Sequence, residues 1–271
     1  MTGKQPGSSD KNGGASRDTR VLSVANQKGG VGKTTTAVNL GAALGELGFT
    51  VGIIDLDPQA NATTGLGLKI AESETSLYDV LLEEAPIGEC FQSTSFSNLS
   101  VAPATVDLAG VEVELVSAPE REFRLRQAVG RLGGTFDFLF IDCPPSLGLL
   151  TLNGLVAARE IMLPVQCEYY ALEGVGQLIQ NIELVRVALN PDLHLGAVLL
   201  TMYDARAKLS RQVDEDVRAH FGDLVCQTVI PRSVRLSEAP SFGQPITAFD
   251  PLSRGAKAYR DLAKEVVDGK A

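Results

Sequence analysis

The chain has no tryptophan, only two histidines and only four cysteines in 271 residues. His194 and His220 stand apart, and Cys90, Cys143, Cys167 and Cys226 form no C-x-x-C pair, which argues against a zinc site. The expectation is reduced, mostly buried thiols in a cytoplasmic protein. No apolar run approaches the ~18–20 residues that a membrane helix needs. The N-terminus shows no apolar core of a secretory signal. Internal repeats and an interdomain linker are also missing. Hydrophobic residues make up 44% and charged residues 21%, the profile of a globular chain long enough for one large α/β core. A net charge of −9 excludes a protein that is basic all over. Yet residues 21–203 carry 9 Lys/Arg against 21 Asp/Glu, whereas residues 204–271 carry 11 against 10. A basic last quarter on an acidic chain is either a mixed solvated surface or a local polyanion-binding face.

Residues 1–20 are Gly, Ser, Lys and Asp with almost nothing apolar, which predicts a disordered tail ahead of a single domain over 21–271. Short apolar runs begin at Val21–Ala25 and recur at Val51–Asp55, Phe138–Asp142, Ile161–Val165 and Leu195–Leu200. Helical spacing follows the first of them over Thr34–Leu47, and helix-like segments occupy 76–83, 105–117, 120–132, 147–158, 171–189 and 208–221. Apolar strands alternating with amphipathic helices predict an α/β fold like that of P-loop NTPases. Its sheet would be twisted and mainly parallel, with helices on both faces. Ligands of such sheets bind at the carboxyl ends of the strands. Chemically loaded turns follow Ala25, Asp55 and Asp142 there.

The first turn reads Lys28-Gly29-Gly30-Val31-Gly32-Lys33-Thr34-Thr35. Its glycines would let backbone N–H groups turn inward around phosphates, and the helix start adds its positive end. Lys33 would neutralise β- and γ-phosphate charge, Thr34 would bind Mg²⁺, and Thr35 would donate to the α-phosphate. The motif departs from G-x-x-x-x-G-K-[ST] in having Gln27 where the first glycine belongs, followed by a second lysine, Lys28. Asp142 ends an apolar strand at the position of a Mg²⁺-holding carboxylate. Asp55 and Asp57 end another, and strand alternation predicts that both project to one side, where one could orient or deprotonate an attacking water.

Lys28–Thr35, Asp55-Leu56-Asp57-Pro58-Gln59 and Asp142-Cys143-Pro144-Pro145-Ser146 closely resemble the deviant-Walker ATPases of the ParA/MinD superfamily. Pro164-Val165-Gln166, Glu168–Gly174, Thr201–Asp204, Val229–Arg232 and Val234–Pro240 extend the likeness over about residues 21–267, toward the chromosomal ParA (Soj) branch. The resemblance implies ATP and Mg²⁺ as ligands. It also implies an ATP-dependent homodimer in which Lys28 reaches the partner's phosphates, Asp57 activating water and Asp55 supporting it. Pro231 and Ser233 would border the adenine, although position 233 is often Asn in the family. Arg206 and Arg235 match positions used for non-specific binding of double-stranded DNA. Arg211, Arg232, Arg254, Lys257 and Lys264 are weaker candidates. A ParB-type partner would stimulate otherwise weak hydrolysis and release the nucleoid-associated dimer.

Other classes on this fold make different demands. A MinD-like membrane regulator needs a membrane-seeking C-terminal helix. Tyr259, Leu262, Ala263 and Val266 do share a helical face, but the polar face mixes Asp261, Lys264, Glu265 and Asp268. That chemistry predicts a helix packed on the sheet and no membrane contact. A metal or redox ATPase needs paired cysteines or tandem P-loops, and an amide ligase needs a pocket for a small substrate.

Overall fold

The computed structural model describes residues 18–69, 75–169 and 171–269. Seven strands form one sheet: β1 Arg20–Val24, β2 Val51–Asp55, β3 Gln92–Ser93, β4 Leu99–Ala102, β5 Phe138–Asp142, β6 Glu160–Gln166 and β7 His194–Thr201. Their order is β3-β4-β2-β5-β1-β6-β7, parallel throughout except for the antiparallel β3 at one edge. The mainly parallel α/β sheet expected from the alternating runs is therefore present.

Period-two alternation sends successive side chains into two separate cores. Leu22, Ile53, Phe140, Met162 and Leu199 pack on one face with Leu40, Leu44 and the C-terminal helix residues Tyr259 and Leu262. Ile54, Leu139, Ile141, Leu163 and Leu200 pack on the other with Leu77, Leu81, Leu155, Val185 and Val213. Burial on both faces is why these strands read as unbroken apolar runs. The C-terminal helix, Arg254–Val267, is capped by Ser253, whose hydroxyl accepts from the Ala256 N–H at 3.1 Å. Tyr259, Leu262, Ala263 and Val266 are buried on the sheet as their spacing predicts. All four cysteines are free and buried.

The anticipated helices appear with small shifts. The first is Lys33–Glu46; the segment at 76–83 is Leu77–Glu83, set by a capping box between Ser76 and Asp79. Residues 105–117 and 120–132 contract to Leu108–Glu114 and Arg124–Gly130. The remaining three form Leu149–Ala157, Ala171–Ala188 and Lys208–Phe221. Strands β3 and β4 were not foreseen; nor were the short helices Asn61–Gly65, Val234–Glu238 and Ile246–Phe249.

The tail placed at 1–20 needs correction at its end. The Thr19 hydroxyl donates to the Phe136 carbonyl at 2.7 Å. Arg20 opens β1 and grips Glu160 through Nε and Nη2, the shorter contact being 2.6 Å. Residues 1–17 lie outside the described residues, as does Tyr170 of the sequence motif at 168–174.

Candidate active site

Strand pairing brings the three loaded turns together. Val24 and Asp55 are both in register with Asp142, so β1, β2 and β5 end side by side. The chain leaves β1 through Asn26, whose amide donates to the Pro164 carbonyl at 2.7 Å and whose carbonyl oxygen accepts the Lys28 N–H at 3.0 Å. Gly30 and Gly32 stand at φ of +74° and +92°, a backbone that side chains resist, and Gly32 directly precedes the helix. Gly29 has no such conformation, and a Cβ there would meet nothing within 4 Å. The Thr201 hydroxyl, at the end of β7, donates to the Val31 carbonyl at 2.8 Å and pins the loop from behind.

Two adjoining cavities open on this loop. The first, about 460 Å³, is lined by Gly29, Gly30, Gly32, Lys33, Thr34 and Thr35, and also by Asp57, Asn61, Thr64 and Pro145. The second, about 320 Å³, is lined by Pro231, Arg232, Ser233, Leu236, Ser237 and Tyr259. They share Gly32, Thr35, Met202 and Pro240. The first carries the loop glycines and Lys33, and the second sets Pro231, Leu236 and Tyr259 beside Arg232, Ser233 and Ser237. The segment that carries Pro240 meets the turn just after the helix Asn61–Gly65 almost backbone to backbone. A Cβ on Gly243 would lie 2.8 Å from Gly67 Cα.

The carboxylates occupy unlike environments. Asp57 reaches the first cavity, with Oδ1 accepting the Gln59 N–H at 3.0 Å. Asp55 does not line it. Its Oδ2 accepts the Thr63 hydroxyl and N–H at 2.7 and 2.9 Å, and its Oδ1 accepts the Asp57 N–H at 3.3 Å. The expectation that both project to one side is corrected here: β2 ends at Asp55, so strand alternation does not continue to Asp57. Burial pushes Asp55 up to about 6 despite those hydrogen bonds.

Asp142 is fully buried, and neither of its oxygens makes a well-formed hydrogen bond among the described residues. Burial first and the nearby Asp55 second raise its pKa well above the ordinary aspartate value; Thr34 and Lys33 oppose that rise. Two unpartnered carboxylate oxygens beside a threonine hydroxyl form a hard-oxygen donor set that fits Mg²⁺. Lys33 is buried, which lowers its pKa, while Asp142 is the largest influence keeping it charged. Its Nζ donates to the Lys28 carbonyl at 3.2 Å. Lys28 itself lines neither of these two cavities.

Comparison with known proteins now identifies the lineage. An AAA domain family matches residues 19–195. The sporulation initiation inhibitor protein Soj of Bacillus subtilis is 54% identical, over 91% of this chain and 98% of its own. The Caulobacter vibrioides chromosome partitioning protein ParA is 53% identical, over 92% of this chain and 94% of its own. The chain belongs to the Soj/ParA family. Among solved structures, a Mycobacterium smegmatis chain described as cobyrinic acid a,c-diamide synthase, with bound ADP and magnesium, superposes at a TM-score of 0.80. It is 43% identical, covering 92% of this chain and 94% of that one.

Within this Soj/ParA-family chain the two arginines expected on a DNA face lie outside both cavities. Arg206 is 92% exposed in its side chain and lies 3.3 Å from Asp204. Arg235 pairs with both Glu238 and Asp250 at 3.0 Å and stacks 4.6 Å above the Phe249 ring. Arg211, Arg254, Lys257 and Lys264 are exposed, whereas Arg232 borders the second cavity. Asn26, Asn61, Thr63, Thr201 and Met202 were not singled out from sequence as members of the site. Each stands at or after the end of β1, β2 or β7, but nothing in its residue type marks a ligand. No helix of the described residues is long and apolar enough to cross a membrane.

Proposed function

We propose that this chain is a Mg-ATP-dependent, dimerising ATPase of chromosome or plasmid partitioning. Its ATP-bound dimer coats double-stranded DNA without sequence preference, and a ParB-type partner stimulates hydrolysis and releases it. The observation that carries the dimer is the position of Lys28. Lys33 already serves the phosphate cavity, whereas Lys28 is exposed at its mouth and lines neither nucleotide cavity. A cation so placed suits the phosphates of a facing subunit, where it would stabilise charge developing in the transition state.

The remaining residues take roles from their surroundings. The loop N–H groups and Lys33 hold the triphosphate. Asp142 and the Thr34 hydroxyl hold the metal ion, which when bound supplies charge neutralisation and a fixed template for the phosphates. Asp57 keeps Oδ1 on the Gln59 N–H, so Oδ2 is assigned to orient the attacking water and take its proton. Asp55 acts at a distance by fixing Thr63 and the turn that carries Asp57. Pro231 and the backbone around Ser233 border the base.

Arg206 and Arg235 are assigned to DNA phosphates, two of each per dimer, which makes retention depend on ATP and fall steeply with salt. The alternative of a MinD-like membrane regulator is disfavoured by the C-terminal helix, whose Tyr259, Leu262, Ala263 and Val266 are consumed in the core. Retention of the chain on DNA-coated beads, with and without ATP, tests the reading. The Asp57→Ala protein should stay bound as a trapped dimer. ATP-independent binding, or none, would refute it.

A further inference from the structure

Lys28 is restrained at three points of its own subunit. Asn26 accepts its N–H, Lys33 donates to its carbonyl, and its ammonium lies 3.8 Å from Glu168 Oε2. Glu168 follows β6 and is shared. Its Oε1 accepts from Gln166 Nε2 at 2.6 Å and lies 3.4 Å from Arg232 Nη2. Lys28, Glu168 and Arg232 border a third cavity of about 530 Å³ together with Met202 and Asp204. One carboxylate thus stands between the lysine at the mouth of the phosphate loop and an arginine of the base-site loop.

We infer that Glu168 is a positioning residue that keeps Lys28 on its own subunit, and that releasing it is a step in forming the nucleotide-sandwich dimer. The inference rests on the reading of Lys28 as a lysine that acts in trans. Lys28 cannot be beside Glu168 and at the partner's phosphates together, so dimerisation must break the pair. Both side chains are 44% exposed, so one such pair is worth about a 1.4- to 5-fold change in equilibrium. A symmetric dimer breaks two, which squares the effect to about 2- to 30-fold. Arg232 competes for the same carboxylate. An occupied base site that turns Arg232 toward Glu168 would therefore loosen Lys28, and the chain would read base and phosphate through one side chain.

The test is the dimer dissociation constant by sedimentation velocity, in the Asp57→Ala background with saturating ATP and Mg²⁺. Glu168→Gln should tighten the dimer about 2- to 30-fold. Glu168→Asp should restore much of the parent value. Nucleotide affinity of the monomer should stay the same, because Glu168 lines neither nucleotide cavity. Arg232→Gln should weaken the dimer, since Lys28 then has Glu168 to itself; a tighter dimer would overturn the competition. If Glu168→Gln leaves the constant unchanged or raises it, the clamp is wrong while the trans lysine stands. If the parent does not dimerise with ATP, the reading of Lys28 itself fails.

Discussion

The floor of the site and the two exposed arginines, Arg206 and Arg235, both place charge, and they do so in opposite ways. Lys33, Asp55 and Asp142 are 7%, 0% and 0% exposed, each at the end of a strand or the start of a helix. Their positions are dictated by backbone that cannot move without disturbing two cores. Arg206 and Arg235 sit on loops and a short helix, where each has found carboxylates of its own neighbourhood. Burying a charge costs several kcal/mol unless something compensates, so a buried charge advertises a purpose. An exposed ion pair contributes about 0–1 kcal/mol, so its presence says little about use.

The largest effect should come from the floor. Asp57→Ala should lower the hydrolysis rate about 10²- to 10⁴-fold, measured as phosphate release, with ATP binding retained. Loss of binding instead would mean that Asp57 shapes the cavity rather than the reaction. Next comes Thr63→Val, which removes a hydrogen bond to a buried carboxylate. It should cost about 1–3 kcal/mol in urea unfolding, because Asp55 is left short of a partner. Asp55 also sets a pH dependence. Its folded pKa is raised to about 6, so the folded nucleotide-free chain holds a proton that the unfolded chain releases earlier. The contribution of Asp55 to stability should be full below that window, fall as pH rises from the ordinary aspartate range to about 6, and be lost above it. Unfolding on either side of the window checks this, and Asp55→Asn should remove that part of the dependence.

The exposed arginines should respond differently. Arg206→Ala should change stability by less than about 0.5 kcal/mol. If the side chain contacts one phosphate, its loss from both subunits should reduce the slope of log affinity against log salt by about 1.8. A stability loss without a change in slope would return Arg206 to the role of a surface ion pair and erase the contrast between the regions.

Legibility in the sequence followed the same division. The central strands were readable because both faces are buried, and the phosphate loop because glycines at positive φ and a lysine–threonine pair leave few alternatives. Strand β3 is two residues long and β4 four, flanked by Ser, Thr and Asn, so neither carries a usable period. The helices Val234–Glu238 and Ile246–Phe249 are too short for a 3.6-residue repeat to show. The expectation that Asp55 and Asp57 project to one side fails because it extends strand alternation two residues beyond the end of β2. Glu168 was visible only as a motif position. Its tie to Lys28 is a matter of tertiary neighbours, which no spacing along the chain reports.

The contact of Gly243 with Gly67 has a metric consequence. Gly65 also faces Pro240, whose ring a Cβ there would approach to 3.6 Å. Pro240 walls both cavities, and the helix Asn61–Gly65 carries two residues of the first. The spacing between the walls of the two cavities is therefore tied to two peptide backbones in direct touch. It acts as a ruler without side-chain slack. A single methyl at position 243 would meet the Gly67 backbone at 2.8 Å, so one of the two segments would have to shift and the ruler would lengthen.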